Sequence, residues 1–230
     1  MSYTIDLTNR GAVVAGAASS LSRHVADVLA AAGARVAVVA DVTDSDSVRG
    51  GLRTAAGALG GLDILVNTAA AGLSRPVLDH TEEDWDRLLD TNLKGAFLVA
   101  REGARLMREQ GRGGTIVNVA SILGLRVAET AAAEAASKAA LVQLTQALAL
   151  EWARHGIRVN ALAPGFLESG ETPGLPAGEA GQAMLRRVPQ RRFGRLADLD
   201  GPLLLLCSEA SAYMTGAVVP VDGGHLVSTL

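Results

Sequence analysis

Aromatic side chains are scarce in this 230-residue chain, at 3% of its composition. It has two tyrosines, Tyr3 and Tyr213, and two lysines, Lys94 and Lys138. A mechanism that needs a phenol or an ammonium therefore has few candidates. A lone cysteine, Cys207, excludes a disulfide framework and a cysteine-based zinc site, and no metal site is expected. Charge is nearly balanced at a net −3, which removes the electrostatic case for a nucleic-acid partner. No apolar run is long enough to span a membrane, and the polar start MSYTIDLTNR is unlike a secretion signal, so a cytoplasmic protein is expected. What the chain does have is apolar bulk: 49% of its residues are hydrophobic, ample for a large core.

Short valine-rich runs alternate with longer amphipathic stretches, a pattern that argues for an α/β fold with helices on both faces of a parallel sheet. Strands are expected at 12–15, 35–40, 63–66, 115–119, 158–163 and 218–221. Leu21, Val25, Val28 and Leu29 recur at helical spacing, as do Val48, Leu52, Ala55 and Leu59 behind a cap at Asp44 or Ser45. Thr81-Glu-Glu-Asp84 resembles a capping box and opens a long helix that ends near Gly111. Further helices are expected at 132–155 and 198–207. The segment 170–192 is rich in Gly, Pro and Glu and reads as a loop or lid. Its Arg186, Arg187, Arg191 and Arg192 are either solvated charges or contacts for a phosphate or carboxylate. No repeat or linker divides the chain, so a single domain, 1–230, is expected.

Several stretches together resemble the short-chain dehydrogenase/reductase family: Gly11-Ala-Val-Val-Ala-Gly16, Asp63-Ile-Leu-Val-Asn67, Asn92-Leu-Lys-Gly-Ala-Phe97, Ile116-Val-Asn-Val-Ala-Ser121, Ser137-Lys138, Arg158-Val-Asn-Ala-Leu-Ala-Pro-Gly165 and Val221-Asp-Gly-Gly224. The resemblance runs from about residue 10 to the C-terminus. It implies a Rossmann-like doubly wound sheet, a nicotinamide cofactor and an Asn, Ser, Tyr, Lys active site. Asn92, Ser121 and Lys138 match three of those four positions.

Four departures stand against this resemblance. The family's glycine-rich loop reads Gly16-Ala-Ala-Ser-Ser20-Leu-Ser22 here, so only the first glycine survives. Serines 19, 20 and 22 either bind an anion at the helix N-terminus or simply cap the helix. Next, the run 36–40 leads straight into Asp41-Val-Thr-Asp44, so one strand and one helix of the family are missing. That leaves 35–40 as an edge strand, and Asp41 as either a ribose-binding acid or part of a later turn. Then Asn67-Thr-Ala-Ala70 replaces the family's Asn-Asn-Ala-Gly; Asn67 either lies beside a cofactor or ties neighbouring strands together.

Last, the tyrosine position, four before Lys138 and thirteen after Ser121, holds Glu134. An ordinary glutamate titrates near 4.3 and a tyrosine near 10, so an unperturbed glutamate is already ionised at neutral pH. It donates a proton only if burial raises its pKa strongly. Glu134 and Lys138 also have the favoured i, i+4 spacing of a helical ion pair.

Read this way, the chain is a degenerate family member. Its expected function is a non-redox enzyme: acid/base dehydration, isomerisation or cyclisation of a carbonyl-containing small molecule by Ser121, Glu134, Lys138 and Asn92. Two alternatives remain open, a non-catalytic subunit of a hetero-oligomeric reductase and an atypical NAD(P)-dependent oxidoreductase. No cofactor is expected; if one binds it is NAD or NADP, at Gly16, Ser20, Ser22, Asp41 and Asn67. Expected partners are the substrate and either copies of this chain or a related reductase, with no nucleic acid and no membrane.

Overall fold

The computed structural model describes residues 5–168 and 178–228. Five buried residues, Gly11–Ala15, form β1. Around it lie β2 (Arg35–Val39), β3 (Ile64–Asn67), β4 (Gly114–Val119), β5 (Ile157–Pro164) and β6 (Val218–Val221). They form one sheet in the order β2-β1-β3-β4-β5-β6. Every neighbouring pair is parallel. The inner strands are apolar on both sides because helices cover both faces. One apolar layer joins α2 (Ser45–Leu59), α4 (Ala96–Gln110) and α5 (Ala132–Trp152) to the sheet. The opposite layer is built by α1 (Ser20–Ala31) and α7 (Asp200–Cys207).

The expected Rossmann-like sheet, one strand and one helix short, is therefore observed. From β1 the chain steps outward to β2 and then back across to β3. The strand order reverses there, leaving a crevice at the carboxyl ends of β1 and β3. Strand β2 lies at the sheet edge, and its Val38 is half exposed. Beyond it the turn at 41–43 leads directly to Asp44, whose carboxylate accepts the N–H groups of Asp46 (3.1 Å) and Ser47 (2.7 Å) and caps α2.

Two expectations need correction. The single helix expected from Thr81 to near Gly111 is interrupted: α3 (Glu82–Leu89) passes through a π-helical segment, Asp90–Gly95, before α4 begins. Apolar spacing does not reveal one extra residue in a turn. The Thr81–Asp84 capping box is present. Within the expected loop 170–192, residues 170–177 lie outside the described residues, and Glu179–Arg187 forms a helix, α6. Its short sequence carries too few apolar residues to announce itself by periodicity. Among the described residues no helix is long and apolar enough to cross a membrane.

Helix α4 approaches β3 closely at Gly103, where an added Cβ would lie 2.3 Å from the buried Leu65 Cδ2. Gly103→Val should therefore cost about 1–3 kcal/mol through overpacking. Denaturant unfolding measures this, and an unchanged midpoint would show that α4 can lift off the sheet.

Candidate active site

The expected catalytic residues gather around the carboxyl end of β4 and the loop that follows β3. Asn92 sits in the π-helical segment and is fully buried. Its side chain is completely engaged. Oδ1 accepts the Ala71 N–H (2.7 Å), and Nδ2 donates to the Ala71 carbonyl and to Ser137 Oγ (both 2.9 Å). The widened turn thus aims an amide across the gap between α5 and the loop that follows β3. π-Segments of this kind recur at functional sites.

Ser121 directly follows Ala120 beyond β4 and is half-buried. Its Oγ accepts the Leu123 N–H at 3.1 Å and so caps the turn Ile122–Gly124. The hydroxyl hydrogen is left available for donation. That turn packs tightly on α5: a Cβ at Gly124 would lie 2.7 Å from the Lys138 carbonyl.

Lys138 is buried, and its Nζ donates to the Val119 carbonyl at 3.1 Å. Burial pushes its pKa down to about 8, while the negative charge of Glu134 opposes the shift. Glu134, one turn earlier on α5, is half-buried. Burial raises its pKa; the Lys138 charge and a hydrogen bond from the Leu73 backbone pull the other way. Lys138 spends its ammonium on a carbonyl, so the two side chains act on each other through space. Glu134 faces the loop after β3, where a Cβ at Gly72 would lie 3.3 Å from its Oε2. The exposed helical ion pair is therefore not what forms. Asn92, at Ala71, and Glu134, at Leu73, brace the same loop.

No tyrosine among the described residues reaches this place. Tyr213 is fully exposed and lines a cavity with Arg10, Gly114 and Ile157, at the amino ends of the strands. Tyr3 lies outside the described residues.

The expected cofactor residues surround the crevice at β1 and β3. Gly16 has φ +145°, and a Cβ there would meet Thr68 Oγ1 at 2.6 Å. Asn67 ends β3, and its buried Oδ1 has no partner among the described residues, so it does not tie strands together through that atom. The serines divide their roles. Ser19 caps α1 by accepting the Ser22 N–H at 3.1 Å. Ser22 is buried and bonds Ser19 Oγ (2.9 Å) and Thr68 Oγ1 (2.8 Å), so its hydroxyl points into the protein. Ser20 opens α1. Asp41 is exposed beyond β2, and its Oδ1 accepts the Thr43 N–H (3.0 Å) and hydroxyl (2.9 Å). Ser137 and Thr68 lie within motifs noted in the sequence, but their roles as the buried hydroxyls that hold Asn92 and Ser22 were not assigned there.

This arrangement agrees with what the chain is similar to. A family described as enoyl-(acyl carrier protein) reductase matches residues 3–225. The chain belongs to the short-chain dehydrogenase/reductase family. It is 37% identical over 192 residues to the 2-dehydro-3-deoxy-D-gluconate 5-dehydrogenase of Escherichia coli, covering 83% of this chain and 76% of that protein. A short-chain type dehydrogenase/reductase from Mycobacterium marinum superposes with a TM-score of 0.90 at 37% identity, covering 96% of this chain and 97% of that one. A gluconate 5-dehydrogenase from Burkholderia cenocepacia, solved in complex with NADP and tartrate, gives a TM-score of 0.92 at 30% identity, with 98% of each chain covered.

These findings overturn the expected non-redox function and the expectation that the chain is not a working oxidoreductase. Relatives across most of its length are named dehydrogenases. The expectation of no cofactor likewise finds no support, because structural neighbours were solved with NADP bound. The error came from weighing four local departures, the serine-rich loop, the shortened sheet, Asn67-Thr-Ala-Ala70 and Glu134, above the resemblance that runs through the rest of the chain. At position 134 burial outweighs the neighbouring ammonium and raises the carboxyl pKa, the direction that acid catalysis requires.

The lysine supplies a test of this electrostatic picture. Between pH 8 and 10.5 the folded chain holds Lys138 neutral while the unfolded chain keeps it protonated. The unfolded state then binds more protons, so this group's contribution to stability rises with pH across that window. Denaturant unfolding of wild type should gain on Lys138→Met between those limits. Parallel pH profiles would mean Lys138 is solvated.

Proposed function

We propose that the protein is an NAD(P)-dependent oxidoreductase that interconverts a secondary alcohol and a ketone on a small polyhydroxylated molecule. The observation that carries the reading is Glu134 and Lys138 on one face of α5, both shifted by burial toward neutral titration, beside the half-buried Ser121. A carboxyl raised and an ammonium lowered by burial are shifted in the directions that suit general acid/base catalysis. The names of the relatives supply the reaction type.

The crevice suits a dinucleotide. Asn67 Oδ1 is an orphaned buried acceptor there, and such atoms require a partner. Gly16 leaves the turn after β1 without a side chain. The first turn of α1 offers backbone N–H groups to an anion, and Asp41 lies beyond β2 on the adenosine side. When bound, the nicotinamide supplies or accepts the hydride.

The chain's own residues handle the proton. In the reduction direction, protonated Glu134 gives its proton to the carbonyl oxygen, and the Ser121 hydroxyl donates a hydrogen bond to the same oxygen. The positive charge on Lys138 keeps Glu134 from becoming too weak an acid to release that proton. Asn92 is a positioning residue that fixes the loop at Ala71. Self-association through α4 and α5 is part of the reading; the exposed Phe97 and Leu150 on those helices support it.

Calorimetry with NADH and NADPH tests the cofactor, and binding of neither would overturn the proposal. Glu134→Gln should lower kcat by about 10²–10⁴-fold, the usual worth of a general acid, with nucleotide binding retained. Carbonyl reduction by wild type should fall as pH rises through the elevated Glu134 pKa. The variant should lack that limb; a variant that keeps full turnover would remove Glu134 from the mechanism.

A further inference from the structure

A second cavity, of about 250 Å³, lies just beyond Ser121. Ile122 and Leu123, the residues that follow Ser121, form one side, and Phe166 and Met184 add further apolar surface. Its polar lining is Arg126, Arg187 and His225. Most arginines near carboxylates in this protein are paired with them, as in Arg112–Asp63, Arg105–Glu102 and Arg192–Asp198. No carboxylate among the described residues pairs with Arg126 or Arg187. Arg126 is held by neutral acceptors instead. Its Nη1 donates to the His225 carbonyl and, at 3.4 Å, to Ser228 Oγ. A guanidinium carries five N–H donors, so most of its fork stays open.

The imidazole of His225 supports a positive field in this cavity. His225 is buried, and its Nδ1 has no partner among the described residues. Burial holds its pKa down, and the charges of Arg126 and Arg187 lower it further. The nearby Asp222 acts the other way. Its carboxylate keeps its negative charge and is held toward its own turn by the N–H groups of Gly224 (2.9 Å) and Leu226 (2.7 Å), so the two guanidiniums outnumber it. A small, largely apolar cavity lined by a half-buried Arg126 and an exposed Arg187, neither paired with a carboxylate among the described residues, suits a compact anion. It falls below the roughly 300–1,000 Å³ of pockets for drug-sized ligands, which argues against a long acyl group.

We propose that this cavity binds the carboxylate of the substrate, so that the protein acts on hydroxy and oxo acids rather than on neutral polyols. Arg126 and Arg187 grip the carboxylate while the reacting carbon lies toward Ser121 and Glu134. This rests on the oxidoreductase reading and names its substrate class. Forked guanidinium–carboxylate contacts are strong and geometrically selective, and a neutral hydroxymethyl group cannot replace them.

The test has a binding arm and a turnover arm. Calorimetry of the full chain without nucleotide, using tartrate and inorganic phosphate as probes, should show tartrate binding that weakens at least tenfold in Arg187→Leu. With nucleotide, D-gluconate should be preferred to D-glucitol, which differs in having a hydroxymethyl group in place of the carboxylate. Arg187→Leu should collapse that preference mainly through KM, and Arg187→Lys should restore part of it. Absent tartrate binding, equal binding in Arg187→Leu, tighter binding of phosphate than of tartrate, or an unchanged gluconate-to-glucitol ratio would each overturn the proposal. Tartrate binding lost in Arg187→Leu by a protein that binds neither NADH nor NADPH would uphold the anion cavity and leave the oxidoreductase reading to fall alone.

Discussion

A buried ammonium anchored on a strand end organises the functional half of this molecule. Lys138 lies within the protein with its charge directed at the Val119 carbonyl. Holding it there requires α5 to lie close against the end of β4, and the absence of a side chain at Gly124 allows that approach. The same approach sets Ser121 at the head of the turn that packs on α5. It also puts Glu134, one helical turn away, where desolvation and the lysine charge act against each other. Site geometry and site electrostatics thus have one origin, the depth at which Lys138 is buried.

The loop after β3 is the second element to depend on this packing. Asn92 reaches it from the π-helical segment and Glu134 reaches it from α5. Ser137, next to Lys138, completes the bridge by accepting from Asn92. One short loop is therefore braced from two helices by polar groups that are largely out of water. Buried networks of this kind hold their shape only when their members are satisfied, and Asn92 makes three such bonds.

Much of this was legible in the sequence. Apolar period and turn residues located all six strands, because a sheet covered on both faces demands continuous apolar runs, and the junction at Ala40-Asp41 revealed the shortened sheet. Asn92, Ser121 and Lys138 were found because they stand at the positions that the family resemblance implies. The features that were not legible depend on surroundings. The π-helical segment differs from an α-helix by one residue per turn, and α6 carries little apolar pattern. The pKa of Glu134 depends on desolvation in the folded chain, which its neighbours in sequence do not reveal. Arg126 and His225 lie 99 residues apart and meet only in the folded chain.

The edge position of β2 has one more consequence. A strand with only one neighbour can gain a second without breaking any existing ladder, and the link from Ala40 to the cap of α2 is exposed on either side of the buried Val42. Residues inserted at that link would leave the order and register of the other five strands untouched. Such junctions are where a sheet changes size between related chains, and where this one is best suited to accept added sequence by engineering.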